Sequence, residues 1–281
     1  MTLTKEMKTA IIPINFSAAS ENAARYVFEL AQYEKEIKLL LFHTFLIQPA
    51  IADPPTITVN INELDLGKER AQLLKEFNDT LKQTYGNTET ELVVKQGSFL
   101  NEVVELIKSR SIDLIVIGVN SNDNIKEFQG NKAISIIKAS KIPVLIVPRN
   151  TKFRKPKKIA LAVDHTTTLD ETVIKQIKDW VKLFQSKLLI FDVLKKTEQI
   201  SSEKLAIEIT IEDSFEEIDY ASHFPTGDDL YQEINSFITK SNSDMLIMSK
   251  HHHMFLQDAF HHSKTKKMTF QTQVPLLILP E

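Results

Sequence analysis

The sequence contains no cysteine. That absence excludes disulfides, thiolate nucleophiles, iron–sulfur clusters and cysteine-based zinc sites. No apolar run approaches the roughly 18 residues that a transmembrane helix needs, so no membrane span is expected. Neither sign of charge dominates: 34 Lys and Arg stand against 37 Asp and Glu, interspersed, for a net charge of -3. There is no basic stripe to meet nucleic acid and no polybasic segment to meet lipid. The opening "MTLTKEMKTAIIPINFS" has an apolar stretch too short, and too broken by Pro13 and Asn15, to form the core of a signal peptide. A cytoplasmic protein is expected. Catalytic signatures are missing as well. There is no Walker-type lysine motif and no G-x-S-x-G nucleophile elbow.

What is present is an ordinary globular composition: 281 residues, 42% apolar and 25% charged, enough for one large or two medium domains. The chain also repeats itself. "MKTAIIPINFS" at 7–17 is echoed by "PKKIALAVDHT" at 156–166, and "EIKLLLFHTFL" at 36–46 by "QSKLLIFDVLK" at 185–195. "SIDLIVIGVNS" at 111–121 is echoed by "NSDMLIMSKHH" at 242–252, and "KIPVLIVPRN" at 141–150 by "QVPLLILPE" at 273–281. The order is the same in both halves; Asp113 and Asp244 lie 131 residues apart, Pro143 and Pro275 132 apart. The polar, basic join "PRNTKFRKPKK" reads as a linker, giving two domains, 1–150 and 151–281.

Within each half, short runs rich in Ile, Val and Leu alternate with helical patterns. "TAIIPI", "KLLLFHT", "TELVVKQ" and "LIVIG" read as strands. "SENAARYVFELAQYEK" has Ala24, Val27, Phe28 and Ala31 at helical spacing, with Ser20 as the expected N-cap. "FLNEVVELIKSRS" is a second helix. The segments "NELDLGKERAQLLKEFNDTLKQTYG" and "SFEEIDYASHFPTGDDLYQEINSFITK" read as amphipathic covering helices or their connections. Continuous apolar runs between helices predict α/β architecture: two tandem, doubly wound, parallel five-stranded sheets flanked by helices. Such sheets bind ligands beyond the carboxyl ends of their strands. Attention therefore falls on Asn15, Thr44 and Gly118, and on their counterparts Asp164, Val193 and Ser249.

"AIIPINFSAASENAARYVFELA", "LLLFHTF" and "DLIVIG…GNKAISIIKASKIPVLIVP" resemble the universal stress protein family in its tandem two-domain form, over nearly the whole chain. "FHHSKTKKMTFQTQVPLLILP" resembles the second domain of tandem members of the Bacteroidetes type. The resemblance implies a Rossmann-like fold and an internal pseudo-dimer joined through the final strands, "PVLIVP" and "PLLILP". It also implies a nucleotide cleft with a characteristic signature: an Asp ending the first strand, then Gly, two residues, Gly, nine residues, Gly and Ser or Thr after the fourth. Glycines there admit close phosphate approach, and helix N-termini favour anions.

Both halves depart from that signature. In the first, Asn15 stands in the Asp slot, Gly118 keeps the first glycine, Ser121 replaces the second, and Gly130 and Asn131 follow one residue early. Pro13, Ile14 and Thr44 would line the base and ribose region. Asp123 and Glu127 add negative charge to the loop. In the second half Asp164 is kept, either as a ligand contact or as a strand-end cap. The loop spacing is kept too, but Ser249, His252 and His262 fill the glycine slots and Ser263 the hydroxyl slot. A Cβ at those positions blocks close phosphate approach. The His-x-Gly-His loop of adenylyl transferases is absent.

Five histidines fall between His251 and His262. None of these pairs has the i,i+4 spacing that sets two ligands on one helix face, so they read as loop histidines and no metal site is assigned. Lys264, Lys266 and Lys267 read as a solvated helix face, with an anion site beside Ser263 as the alternative. His43 and Trp180 read as core. The resulting expectation is a cytoplasmic stress-response protein, non-catalytic, requiring no cofactor, with a protein partner or small ligand as its target and homodimerisation open. The alternative is an ATP-binding member with its site in the first domain, acting as a nucleotide-gated switch or slow ATPase.

Overall fold

The computed structural model describes residues 9–34, 36–46, 63–120, 136–137, 140–163, 168–194, 201–249 and 273–280. The first half runs β1 (Thr9–Pro13), α1 (Ala18–Leu30), β2 (Lys38–Phe45), α2 (Glu63–Tyr85), β3 (Thr90–Gln96), α3 (Phe99–Ser109), β4 (Leu114–Val119) and β5 (Val144–Pro148). The second half runs β6 (Lys158–Ala162), α4 (Glu171–Phe184), β7 (Lys187–Phe191), α5 (Ser202–Asp213), β8 (Tyr220–His223), α6 (Leu230–Ser241), β9 (Met245–Ser249) and β10 (Leu276–Leu279).

All ten strands share one sheet, ordered β3-β2-β1-β4-β5-β10-β9-β6-β7-β8. Each half contributes five parallel strands. The halves meet where β10 runs antiparallel to β5, Leu277 opposite Leu145. The sheet is therefore mostly parallel and flanked by helices, and the two five-stranded sets are continuous rather than separate sheets.

Alternation along the strands explains why both faces are covered. Ala10 and Ile12 of β1 point into one apolar cluster and Ile11 into the other; Leu39 and Leu41 of β2 oppose Leu40 and Phe42 in the same way. The first cluster takes Val27 and Phe28 of α1, Leu74 and Leu81 of α2, Ile177 and Trp180 of α4, and Ile211 of α5. The second takes Val103 and Leu106 of α3 and Ile234 and Ile238 of α6. Each such fully buried side chain stabilises the fold by about 1.5–3 kcal/mol.

The sequence repeat recurs as repeated bonding. Asp113 accepts from the amide of Thr9 through Oδ2 at 3.0 Å, tying the entry of β4 to that of β1. Asp244 does the same for the entries of β9 and β6, accepting from the amides of Lys157 and Lys158 at 2.8 and 3.1 Å. Helices α4 and α6 end alike, with Gln185 and Asn242 in the left-handed region at φ 55° and 52°. The next amide in each case returns to the helix, Ser186 to Val181 and Ser243 to Ile238.

Two local readings change. The N-cap of α1 is Ser17, whose Oγ accepts from the Ser20 amide, and Ser20 lies buried in the first turn. The segment at 214–240 is not only helix and connection, because it contains β8 ahead of α6. Strand β8 is four residues long and half-exposed, too short for its period to show.

Between the halves, Asn22 of α1 donates through Nδ2 to the carbonyls of Pro148 and Thr151 at 3.0 and 2.8 Å. Phe153 of the linker sits 5.0 Å from Tyr26, 5.6 Å from Tyr33 and 6.3 Å from Phe184, ring centroid to centroid. Burial, reinforced by the charges of Asp244 and Glu29, pushes the Tyr26 phenol well above its ordinary value, so it remains protonated.

Candidate functional site

Strand order reverses between β1 and β4 in the first half and between β6 and β9 in the second. Those are the two positions where a doubly wound sheet opens a crevice. In the first half the structure gathers Pro13, Ile14 and Asn15 after β1, Thr44 at the end of β2 and Gly118 at the end of β4, on three adjacent strands. Ser249 closes β9 beside the end of β6 and is buried. Ser121, Gly130, Asn131, Asp164 and Ser263 lie outside the described residues, as do the loop acids Asp123 and Glu127, the 251–262 histidines and Lys264, Lys266 and Lys267.

Pro13, Ile14, Asn15 and Gly118 are already engaged. Pro13 and Ile14 are buried, and the Ile14 backbone is clamped to β2 on both sides. Its amide donates to the Phe42 carbonyl at 2.7 Å, and its carbonyl accepts from Nδ1 of His43 at 2.7 Å. That contact fixes the proton on Nδ1 and makes His43 a buried structural histidine, matching the reading from sequence. Asn15 is exposed, but its Oδ1 accepts from the Ser17 amide at 3.1 Å and the Ser17 hydroxyl at 2.7 Å. It thereby holds the turn that caps α1.

Phe16 was not singled out by the sequence, yet it defines this turn. Its φ is 59°, a left-handed conformation that costs a non-glycine residue about 1–2 kcal/mol. Its ring lies 5.0 Å from that of His43 and 6.5 Å from Phe77 of α2. These contacts hold the strained backbone. Only a positive φ separates Phe16 from an ordinary core aromatic, and sequence pattern does not report φ.

Gly118 has a packing function. A Cβ built there would stand 2.0 Å from the Ala19 carbonyl oxygen and 2.8 Å from the Ser20 nitrogen. The first turn of α1 thus rests directly on the end of β4, across the switch point. Ser17 caps that turn, and Glu21 in it pairs with Arg25 at 2.9 Å. In the second half, Asp192 takes the place that His43 has in the repeat. It is buried at the end of β7, and its amide donates to the His223 carbonyl at 3.2 Å. Aligning "LLLFH" with "LLIFD" was the available signal for it.

Among the described residues no cluster of His, Asp and Glu is placed to hold a metal ion, and no helix is long and apolar enough to cross a membrane.

Comparison with known proteins gives a family. The model of the universal stress protein family matches residues 6–148. A universal stress protein from Archaeoglobus fulgidus is 14% identical, with 98% of this chain and 97% of that one covered at a TM-score of 0.72. A putative universal stress protein from Pseudomonas aeruginosa is 12% identical, covering 98% and 93% at a TM-score of 0.56. A family protein from Arabidopsis thaliana, with AMP bound, is 15% identical and covers 51% of this chain and 92% of its own at a TM-score of 0.35. No curated protein matches.

Proposed function

This chain belongs to the universal stress protein family, and from that premise we propose that it works as a non-catalytic regulatory or interaction protein of the cytoplasm whose nucleotide clefts have eroded. It comprises two tandem units, 1–150 and 151–281, joined as an internal pseudo-dimer, and it needs no cofactor. The observation that carries this reading is the use already made of the retained signature positions. Gly118 admits the backbone of α1, with no room even for a Cβ. Asn15 and Ser17 hold the capping turn of α1. Gly118 and Asn15, the signature positions of the first half among the described residues, therefore each have a folding reason to be there. In the second half, bulky residues at Ser249, His252 and His262 oppose close backbone approach.

The test is calorimetric titration of nucleotide-stripped protein with ATP and magnesium. No heat at millimolar ATP is expected. Micromolar binding that disappears in Asn15→Ala would replace this reading with an ATP-dependent switch sited in the first half. Gly118 is unsuited to that comparison because its substitution disturbs α1 directly.

A further inference from the structure

We propose that α5 is a docking face for a basic amphipathic helix of a partner protein. The inference rests on the non-catalytic interaction reading and gives its partner a chemistry. Five large apolar side chains are exposed among the described residues, and two of them, Leu205 and Ile209, lie one helical turn apart on α5, 50% and 51% exposed. Their neighbours Ile207 and Ile211 face the core, so the helix is apolar on two sides.

The internal repeat supplies a control. Helix α2 occupies the same place in the first half, between the second and third strands. It buries Leu74 and Leu81 and exposes Glu69, Gln72, Lys75, Glu76 and Asp79, with Leu73, at 37%, the one large apolar side chain exposed among its described residues. A largely charged outer face satisfies the fold there, so the fold does not demand Leu205 and Ile209 outside.

Helical spacing puts Glu208, Glu212 and Asp213 three or four residues from the two apolar side chains, on the same stripe. Glu216 extends this run of acids, and burial together with the charges of Glu212, Glu216 and Asp213 pushes the Tyr220 phenol upward. Beyond them, Glu217 pairs with Lys178 and Lys182, and Asp219 with Lys187. The adjoining strand β8 is the last of the sheet and reads "YASH", whereas the opposite edge strand β3 carries Glu91 and Lys95, both in ion pairs. A helix with apolar residues at i and i+4, flanked by Lys or Arg, matches the stripe of Leu205, Ile209 and the α5 acids in apolar spacing and in sign.

The probe is a labelled amphipathic Leu/Lys helix peptide, titrated with the full chain and read by fluorescence anisotropy. Leu205→Ser with Ile209→Ser should weaken binding by about tenfold or more while leaving the melting transition in place. Glu208→Gln with Asp213→Asn should weaken it too and flatten its salt dependence. Equal binding of a scrambled peptide, or no loss in either double variant, would overturn the proposal by reducing the effect to bulk charge. Sedimentation showing a dimer that only the Leu205→Ser/Ile209→Ser variant dissolves would also overturn it, making the occupant a second copy. Neither failure touches the ATP titration. A silent calorimeter with an indifferent peptide leaves the non-catalytic reading standing without this partner.

Discussion

Gly118 carries a packing role that its sequence context does not announce. From sequence it is the first glycine of a phosphate loop; in the structure it is the surface on which α1 rests. Gly118→Ala should destabilise the chain by about 3 kcal/mol, because the clashing atoms belong to backbone and cannot rotate away. Urea denaturation measures this, and a variant as stable as the parent would remove the packing account. Gln185 and Asn242 offer the opposite test, since both hold left-handed conformations at helix ends. Gln185→Gly should stabilise by about 1 kcal/mol, and Asn242→Gly by less, because asparagine tolerates that region better. The sequence pattern located Asn15, Thr44 and Gly118 correctly on neighbouring strand ends. Their hydrogen bonds and Phe16's φ depend on how α1 meets the sheet, which no local pattern contains.

Among the elements, legibility followed length and burial. The strands "AIIP", "LLLFH" and "LIVIG" are buried on both faces and stand out as apolar runs. Strand β8, at the sheet's edge, is only partly buried and has no such run. The sequence pattern puts the α1 cap three residues late, at Ser20, because Ser17 and Ser20 both precede apolar positions, and only the Asn15 turn decides between them. Edge strand β3 is held by Glu91, which pairs with Lys38 at 2.8 Å and also bonds Arg110. Those two cations hold the Glu91 carboxyl below the ordinary glutamate range. Since its folded value is the lower one, its contribution is present above the unfolded value and fades as pH falls through the folded value. Glu91→Gln should therefore cost stability at neutral pH and little in strong acid. Thermal melts across that acid window would show parallel curves for parent and variant if the pairs contribute nothing.

For the whole molecule, the join between halves is the feature to perturb. It combines the β5–β10 ladder with the aromatic contacts of Phe153 against Tyr26, Tyr33 and Phe184. Aromatic pairs of this kind add about 0.5–1.5 kcal/mol each beyond their burial. Phe153→Ala should lower stability by about 2 kcal/mol, less than for a fully buried phenylalanine, since the ring is only half-buried. Calorimetry should show one transition in the parent and a broadened or split one in the variant, if the linker ring couples the halves. An unchanged single transition would assign that coupling to the ladder alone.

The antiparallel meeting of β5 and β10 has one more consequence. Because each half is parallel within itself, the carboxyl ends of β1 and β4 open toward one rim of the sheet and those of β6 and β9 toward the other. Two separate copies assembled this way would have to present identical mouths, and any change would appear twice. A fused chain is free of that constraint. One mouth can keep its asparagine turn while the other changes independently, without breaking the seam that holds them back to back.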